Sequence, residues 1–391
     1  MSKGTIIYIG GFELPDKNAA AHRVIANAKI LKSLGYEVLL IGVDKKLKSD
    51  SLFLQTKKEY EGLNYFSLKY PSSLIDWFKY LFSIKFIKEL ESLKPKVIIA
   101  YNYPGFAFWR LLKYCNKNNI KLIGDCTEWY EPKGNFIFNI IKSADVYVRM
   151  KLVHPKINGM IVISNYLFNY YKNFSNKIIN IPPLVDLKMD KWNTEDKQNL
   201  NEFTFVYAGS PGSGTKDRID KIIDVLAEIK KKSSINFKLN IIGLTKDQYV
   251  NTFGLEKLPK NFNDFLFFKG RLPHVETLTE VSSSDFVIFI RDKNLTNTAG
   301  FPTKFVESIS CGTPVLSNSS SNIEEYLIEN KTGFLLETES YDELNEKLSD
   351  ILKLDKKDIL QMKKFCKNSE LFDILNYTSK FEVFINDVLN D

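Results

Sequence analysis

The sequence predicts an α/β fold with two domains, each built on a doubly wound parallel sheet, that face each other across a central crevice. The chain has 391 residues, which suits two domains of about 150–200 residues each. Short apolar runs, typical of parallel strands covered on both faces, alternate with segments of helical periodicity. This alternation starts twice, at residues 4–9 and again at residues 203–208. We therefore predict domains at 1–184 and 185–371, followed by an amphipathic C-terminal helix at 372–391.

The composition favours a folded protein, since 44% of the residues are hydrophobic and 26% are charged. The net charge of +7 comes with scattered lysines, so we predict no nucleic-acid partner. Anionic small molecules and an anionic membrane surface fit this charge equally well. The four cysteines share no CxxC spacing, which predicts reduced core residues, and the three histidines lack metal-ligand spacing, so no metal site is predicted.

The location of the protein follows from two further features of the sequence. No apolar stretch approaches the ~20 residues that span a bilayer, and residues 1–9 lack a signal-peptide layout, so we expect a cytoplasmic protein. Residues 74–90 predict a helix with an aromatic stripe that includes Trp77 and Phe78, flanked by lysines. Two interpretations remain open: a helix packed in a large core, or one that lies on a membrane surface at the inner face of the cell membrane.

The first domain opens with a strand, a glycine turn, a helix and a second strand at residues 36–42, which together predict a βαβ unit. The Gly10-Gly11 pair lacks the GxGxxG spacing, so a dinucleotide fingerprint is not predicted. The pair is either a tight turn or a ligand-binding loop at the end of the first strand. His22 and Arg23, at the start of the helix, are candidates to face the crevice.

Polar and aromatic residues follow the predicted strand at residues 120–124. Asp125 and Glu128 are candidates to bind sugar hydroxyls or to act as a base, and Trp129 and Tyr130 offer flat faces to a sugar ring. The alternative is a helix N-cap followed by an aromatic core. The other strands predicted in this half are at residues 63–68, 96–101, 160–163 and 178–181.

The second domain opens with a strand that runs into a glycine-rich turn. The turn and the start of the following helix read Gly209-Ser210-Pro211-Gly212-Ser213-Gly214-Thr215-Lys216-Asp217-Arg218. Backbone N–H groups, a helix N-terminus and the two cations Lys216 and Arg218 predict a phosphate cradle, although the spacing is not that of a Walker A loop. A flexible surface loop is the alternative. Further strands are predicted at residues 238–242, 265–268, 286–290 and 314–316.

The stretch from Asn297 to Leu316 predicts a flexible loop, a short helix at residues 303–310 and a turn into a buried strand. Glu307 lies one turn into this helix. The polar loop before the helix offers backbone N–H groups and the positive end of a helix dipole to an anion. We therefore expect the ligand here.

With both halves laid out, the chain resembles a GT-B glycosyltransferase, most closely glycosyltransferase family 4. The resemblance covers nearly the whole length and is sharpest in the second half. The segments that carry it are Tyr207-Ala208-Gly209 with Lys216, Gly270-Arg271-Leu272, Gly300-Phe301-Pro302-Thr303-Lys304-Phe305-Val306-Glu307, and Cys311-Gly312-Thr313-Pro314-Val315.

The resemblance implies two Rossmann-like domains and a nucleotide-sugar donor, with a UDP-sugar expected and no cofactor or metal. It implies that Glu307 holds the ribose hydroxyls and that Lys216 holds the diphosphate. It also implies that the loop of Gly300, Phe301, Pro302 and Thr303 gives amides to phosphate or sugar. By the same likeness the turn with Arg271 borders the base, and the Gly10-Gly11 loop meets the donor from the other domain. The resemblance also implies that the C-terminal helix at 372–391 packs back onto the first domain.

Three positions depart from the pattern of the family. Ala299 stands where the first of two glutamates is usual, and Ser210 stands where a basic residue is common. The histidine expected after the fifth strand is missing, and residues 125–130 stand in its region. We expect Arg218 and Lys304 to replace the lost cation.

These features together predict a sugar transferase that acts on a glycan, lipid-linked or other hydroxyl acceptor in bacterial surface polysaccharide assembly. The resemblance implies retention of the anomeric configuration. The catalytic candidates are Lys216, Glu307 and Asp125. Two alternatives remain open: a non-catalytic paralogue that binds a glycan or protein partner, and a nucleotide-sugar epimerase of the same fold.

Overall fold

The structure is a computed structural model, and it describes residues 2–15, 17–49, 57–82, 93–129, 136–174, 177–194, 202–209 and 216–390. The chain divides into two compact units. Unit 1 comprises Met1–Asp186, Ala299–Phe301 and Asp373–Asp391, and unit 2 comprises Leu187–Thr298 and Pro302–Phe372.

Unit 1 contains an eight-stranded sheet whose strands lie in the order β3-β4-β2-β1-β5-β6-β7-β8. Every pairing in it is parallel except that of β3 with β4. The strands are β1 (Thr5–Gly10), β2 (Glu37–Asp44), β3 (Lys58–Tyr60), β4 (Leu63–Lys69), β5 (Val97–Tyr101), β6 (Lys121–Cys126), β7 (Gly159–Val162) and β8 (Ile178–Asn180). The α-helices among the first 186 residues are α1 (Ala19–Ser33), α2 (Leu74–Phe82), α3 (Gly105–Lys117), α4 (Phe136–Tyr147) and α5 (Asn165–Tyr171).

The core of unit 1 is formed by residues from the beginning and the end of the chain. Helix α1 starts at Asn18, whose side chain accepts a hydrogen bond from the Ala21 N–H, and Gly35 with φ of +95° follows its last turn. The apolar face of α1 packs in one cluster with β1 and with the C-terminal helix α13 (Thr378–Leu389). Phe384 of α13 lies over β7, where a Cβ on Gly159 would come within 2.9 Å of the Phe384 ring.

Unit 2 contains a six-stranded parallel sheet in the order β11-β10-β9-β12-β13-β14. Its first strand in sequence, β9, lies between the second and the fourth, which is the strand order of a doubly wound fold. The strands are β9 (Phe203–Ala208), β10 (Phe237–Ile242), β11 (Leu266–Gly270), β12 (Phe286–Phe289), β13 (Val315–Ser317) and β14 (Gly333–Leu335). The helices are α6 (Ile219–Lys232), α7 (Lys246–Phe253), α8 (His274–Ser282), α9 (Leu295–Ala299), α10 (Thr303–Ser310), α11 (Tyr341–Ile351) and α12 (Lys356–Ser369).

The observed elements confirm the predicted α/β class, with a parallel sheet in each unit. The helix predicted at residues 303–310 is α10, and Gly312 follows it with φ of +79°. The four cysteines are buried and free, as predicted. No helix in the described part of the chain is long and apolar enough to cross a membrane.

Three boundaries were predicted wrongly. Residues 297–299 were expected in a loop but belong to α9, which begins at Leu295. Asp125 was placed after a strand but lies inside β6, paired with Tyr101 of β5. The C-terminal helix begins at Thr378, after a 3-10 turn at Ile374–Tyr377. Of the helix predicted at residues 74–90, the structure has α2, and residues 83–90 lie outside the described part.

We predict that Phe384→Ala lowers the free energy of unfolding by about 3–5 kcal/mol, because it removes a large side chain that is 3% exposed. The matched control is Val383→Ala on the same helix, where the side chain is 62% exposed. Its effect should stay within about 0.5 kcal/mol. Denaturant unfolding measures both, and equal losses would contradict the packing of α13 in the core of unit 1.

Candidate functional site

The candidate site in unit 2 lies at the C-terminal ends of β9 and β12. These strands pair with each other, while β9 also pairs with β10 and β12 with β13. The connections that follow β9 and β12 leave the sheet in opposite directions at this point. Open parallel sheets bind ligands in the crevice at such a switch point.

A buried carboxylate, Asp217, organises this end of the sheet. Arg291, two residues after β12, donates from Nε to Asp217 Oδ1 at 2.8 Å. Lys304, in the first turn of α10, donates from Nζ to Asp217 Oδ2, which also accepts the Tyr207 hydroxyl hydrogen bond at 2.8 Å. One carboxylate thus links β9, β12 and α10, and the group of Asp217, Lys304 and Arg291 has a net positive charge.

The ionisation of this group follows from burial and from its charges. Burial would raise the pKa of the Asp217 carboxyl, but the charges of Lys304 and Arg291 outweigh it and hold that pKa below its ordinary value. Burial lowers the pKa of the Lys304 ammonium, and Asp217 partly offsets this effect. Burial, followed by the charge of Asp217, raises the pKa of the Tyr207 hydroxyl.

Lys304 lies directly against the end of β9. Its Nζ is 4.0 Å from the centroid of the Tyr207 ring, and a Cβ on Gly209 would come within 3.0 Å of that Nζ. Gly209 has φ of +142°, which side chains rarely adopt. Glycine at this position therefore lets the ammonium approach the backbone where the strand ends.

Glu307 and His274 form a second polar pair in unit 2. Glu307 Oε1 and His274 Nε2 are 3.2 Å apart, and their side chains are 20% and 22% exposed. His274 is the first residue of α8, and the Trp192 ring meets it edge-on with centroids 6.3 Å apart. A carboxylate that is partly exposed and held by an imidazole can accept hydrogen bonds from vicinal hydroxyls.

Arg218 was predicted to bind the phosphates as a free cation. In the structure, two carboxylates already hold its guanidinium. Its Nη2 donates to Asp220 Oδ2 at 2.7 Å and its Nη1 to Asp292 Oδ2 at 3.1 Å. The hydrogen bond to Asp220 is the main cause that raises the pKa of the guanidinium. Lys216 is half-buried, and its charge contributes to lowering the pKa of Lys304, which places the two ammonium groups in one electrostatic environment.

Asp125 and Arg23 of unit 1, predicted to face a crevice, form a buried ion pair. Arg23 donates from Nη2 to Asp125 Oδ1 at 2.8 Å and from Nη1 to the Ile181 carbonyl at 2.8 Å. Tyr8 donates its hydroxyl hydrogen bond to Asp125 Oδ2, and the side chains of Asp125 and Arg23 are 0% and 3% exposed. Asp125 was predicted to lie in a polar loop and to act as a base. Instead it lies inside a strand, its oxygens accept hydrogen bonds from Arg23 and Tyr8, and its side chain has no exposed surface.

The other predicted residues of unit 1 lie nearer the surface. His22 and Glu128 are half-buried, as is Trp129, which packs edge-on against Tyr170 with centroids 4.8 Å apart. Gly10 ends β1, where a Cβ would lie 2.6 Å from the Tyr101 carbonyl oxygen, so packing requires glycine. Gly11, by contrast, is exposed.

Several predicted positions lie elsewhere or outside the described residues. Ser210, Gly212, Gly214 and Tyr130 belong to the part that the structure does not describe. Arg271 follows β11 and is exposed. Three of the remaining predicted positions, Gly300, Phe301 and Pro302, form the segment that joins α9 to α10, and Thr303 is the first residue of α10.

Sequence reasoning missed three residues of the site. Asp217 was assigned no role beyond its place in the glycine-rich turn. Arg291 was not singled out, and His274 was considered only as a metal ligand. A signal for Arg291 was present, since it directly follows a predicted buried strand, where ligand-contacting residues are common. His274 directly follows Pro273 at the exit of β11, beside the turn that carried the resemblance.

Comparisons of the sequence with known proteins identify a family and a relative that the chain resembles. Residues 190–369 match the model of the family described as glycosyl transferases group 1. An uncharacterized glycosyltransferase from Methanocaldococcus jannaschii is 25% identical over 206 residues, which cover 48% of this chain and 52% of that protein. The match therefore spans about half the length of this curated relative.

Solved structures share the fold over the whole chain. Sucrose-phosphate synthase from Thermosynechococcus elongatus superposes with a TM-score of 0.72 at 14% identity, over 99% of this chain and 100% of that one. HepE from Anabaena, solved in complex with UDP, superposes with a TM-score of 0.67 at 13% identity, over 98% of this chain and 99% of that one.

The protein has the GT-B fold, and its unit 2 carries the region that matches glycosyl transferases group 1. The matched family and the relative support the prediction that the protein is a glycosyltransferase. The finer assignment to glycosyltransferase family 4 stays a prediction.

We predict that Asp217→Asn destabilises the protein by about 3–5 kcal/mol at neutral pH, because it leaves two buried cations without their carboxylate. The folded-state pKa of Asp217 is lowered, so its contribution is complete above the unfolded carboxyl pKa of about 3.9 and is lost as the pH falls towards the folded value. The difference from wild type should therefore shrink below about pH 4. Unfolding measured from pH 7 to pH 3 tests this, and a difference independent of pH would contradict it.

Proposed function

We propose that the protein transfers a sugar from a nucleoside diphosphate donor to a hydroxyl group of a glycan or lipid-linked acceptor. The observation that carries the proposal is the cationic group of Lys304 and Arg291 around Asp217, at the strand ends of the region that matches glycosyl transferases group 1. The HepE complexes with UDP and with UDP-glucose support a UDP-sugar as the donor.

In this proposal, the chemical task of the site is to stabilise the charge that develops on the departing diphosphate. Groups fixed before the reaction do this best, because they need no reorganisation when the bond breaks. Asp217 holds Lys304 and Arg291 in place, and Lys216 adds a third cation nearby. The N-terminus of α10, which has no side-chain cap, contributes roughly 0.3–1 kcal/mol when exposed and up to ~2 kcal/mol when partly buried.

Glu307 is proposed to accept hydrogen bonds from the ribose hydroxyls. His274 supports this role, since an imidazole 3.2 Å from one carboxylate oxygen orients the side chain. A carboxylate has about four lone-pair sites, so it can accept hydroxyl hydrogen bonds in addition to such contacts. With Ala299 in place of a second glutamate, the sugar hydroxyls of the donor need other partners.

The finer features of the function are proposals that rest on the resemblance and on the charges of the site. We propose transfer with retention of configuration and without a metal, because the site supplies its own cations. We also propose membership of glycosyltransferase family 4, a cytoplasmic location and a role in the assembly of surface polysaccharide.

The experiment that tests the proposal is a binding screen with nucleotides and nucleotide sugars, followed by a comparison of UDP with 2′-deoxy-UDP. We expect wild type to bind UDP at least tenfold more tightly than the deoxynucleotide. Glu307→Ala should abolish this preference, because it removes the partner of the ribose hydroxyls. The control is Glu339→Ala, which changes a carboxylate of unit 2 that is 77% exposed. If no nucleotide binds, the proposed function is wrong; if binding persists with its preference unchanged in Glu307→Ala, the assignment of Glu307 is wrong.

We also propose that unit 1 contacts a membrane to reach a lipid-linked acceptor. On α2, Ile75 and Phe78 are 68% and 65% exposed, and on α4, Ile140 is 53% exposed. Lys79 and Lys142 lie on the same two helices and can meet anionic headgroups.

We expect wild type to sediment with vesicles that contain anionic lipid, and Trp77→Ala/Phe78→Ala to bind at least severalfold more weakly. Leu255→Ala, which removes an apolar side chain of unit 2 that is 67% exposed, serves as the control. Failure of the wild type to bind such vesicles would end this proposal and leave the sugar-transfer proposal untouched.

A further inference from the structure

A cavity in unit 2 lies against one face of the sheet, at strands β9, β10 and β11, beside the end of α8. Its volume is about 410 Å³, within the range of small-molecule pockets, roughly 300–1,000 Å³. The residues that line it are Glu202, Thr204, Lys238, Asn240, Phe267, Lys269, Glu280, Ser283 and Ser284.

This cavity is separate from the strand ends where the nucleotide is proposed to bind. Side chains alternate between the faces of a strand, so Thr204 and Tyr207 of β9 point to opposite faces. Tyr207 belongs to the group around Asp217, whereas Thr204 lines the cavity. Thr204 also precedes Gly209 by five residues, which is about 16 Å along a strand.

The floor of the cavity is polar where a buried strand is expected to be apolar. Asn240 lies inside β10 between Leu239 and Ile241 and is only 6% exposed, and Thr204 of β9 is also 6% exposed. Neither the Asn240 amide nor the Thr204 hydroxyl hydrogen-bonds to any residue that the structure describes. Asparagine is depleted in strands, so strand propensity does not explain its place inside β10. Such a departure from local rules is typical of a binding site.

The charges of the walls are balanced. Lys238 Nζ lies 2.6 Å from Glu202 Oε2, and Lys269 Nζ lies 2.6 Å from Glu280 Oε1. Each ammonium is neutralised by a carboxylate, so the cavity favours neither an anion nor a cation. It does present many donors and acceptors, which include the Ser283 and Ser284 hydroxyls.

One aromatic ring completes the lining. Phe267 of the edge strand pairs in register with Asn240, so the two side chains point to the same face of the sheet. Phe267 is 45% exposed and offers a flat apolar surface beside the free amide. A ligand that suits this cavity therefore combines several hydroxyl groups with an apolar face and has no net charge.

We propose that this cavity is a second carbohydrate site, which binds a neutral saccharide of about two sugar units with Asn240 and Phe267 as its main contacts. Ring hydroxyls satisfy the Asn240 amide and the Thr204 hydroxyl and bridge the two ion pairs, and the C–H face of one sugar ring packs on Phe267. Such a site holds a glycan on unit 2 independently of the nucleotide. The inference goes beyond the proposed function and does not depend on it.

The test is saturation-transfer difference NMR with four neutral disaccharides, namely maltose, cellobiose, lactose and sucrose. We expect at least one of them to bind wild type at millimolar concentration. Asn240→Leu and Phe267→Ala should each weaken this binding at least tenfold, while Leu255→Ala, outside the cavity, should not change it. The melting temperatures of Asn240→Leu and Phe267→Ala, measured as a check on folding, should stay close to that of wild type.

Three results would overturn the proposal: no disaccharide of the panel binds wild type, binding persists in both cavity variants, or glucose 1-phosphate binds the cavity more tightly than the neutral sugars. If Asn240→Leu fails to fold, Phe267→Ala alone tests the proposal. This variant should fold, because the Phe267 side chain is already half exposed. UDP affinity measured on the same variants separates the two sites. Both cavity variants should bind UDP as wild type does, and a protein that binds disaccharide but no nucleotide would support this site while refuting the proposed function.

Discussion

The buried carboxylate of Asp217 is the interaction on which the candidate donor site depends. Its two oxygens hold Arg291 after β12, Lys304 at the start of α10 and the Tyr207 hydroxyl on β9. Two cations placed this close would repel each other without an anion between them, and burial would make the repulsion stronger. Asp217 removes that obstacle and still leaves one net positive charge, which suits the diphosphate of the proposed donor.

Unit 1 also contains a buried ion pair, and there it stabilises the fold. Arg23 and Asp125 are fully buried, and Arg23 also donates to the Ile181 and Pro182 carbonyls just after β8. This pair ties α1 and β6 to the segment that leads out of the unit. Removal of either charge would leave the other buried without a partner, which is strongly destabilising. Asp125, a catalytic candidate from the sequence, and Arg23, expected to face the crevice, therefore hold the first unit together. The charges at the sheet end of unit 2 are those that suit ligand binding.

Much of the fold could be predicted from the sequence, because the signals involved are local. Buried parallel strands read as continuous apolar runs, and Gly312 after Ser310 marks the end of α10 in both the sequence and the structure. The candidate site was harder to predict. Glu307 was singled out from its place one turn into a predicted helix, and its expected role came from the resemblance. Arg291 and His274 were missed because their importance comes from neighbours distant in sequence, Asp217 and Glu307 respectively. Asp125 was misjudged because its partner Arg23 is 102 positions away.

The sequence by itself determined the α/β class, the positions of most strands and helices, the reduced state of the cysteines and the stretch around Glu307. These follow from periodicity, turn residues and spacing, which act over a few residues at a time. The tertiary structure alone decided which charges pair with each other. Arg218 pairs with Asp220 and Asp292, and Lys304 pairs with Asp217. Asn240 lies on the floor of a cavity, where it hydrogen-bonds to no described residue. The physical reason is that the strength of an ion pair or hydrogen bond depends on distance and burial, and both are set only when remote strands meet in one sheet.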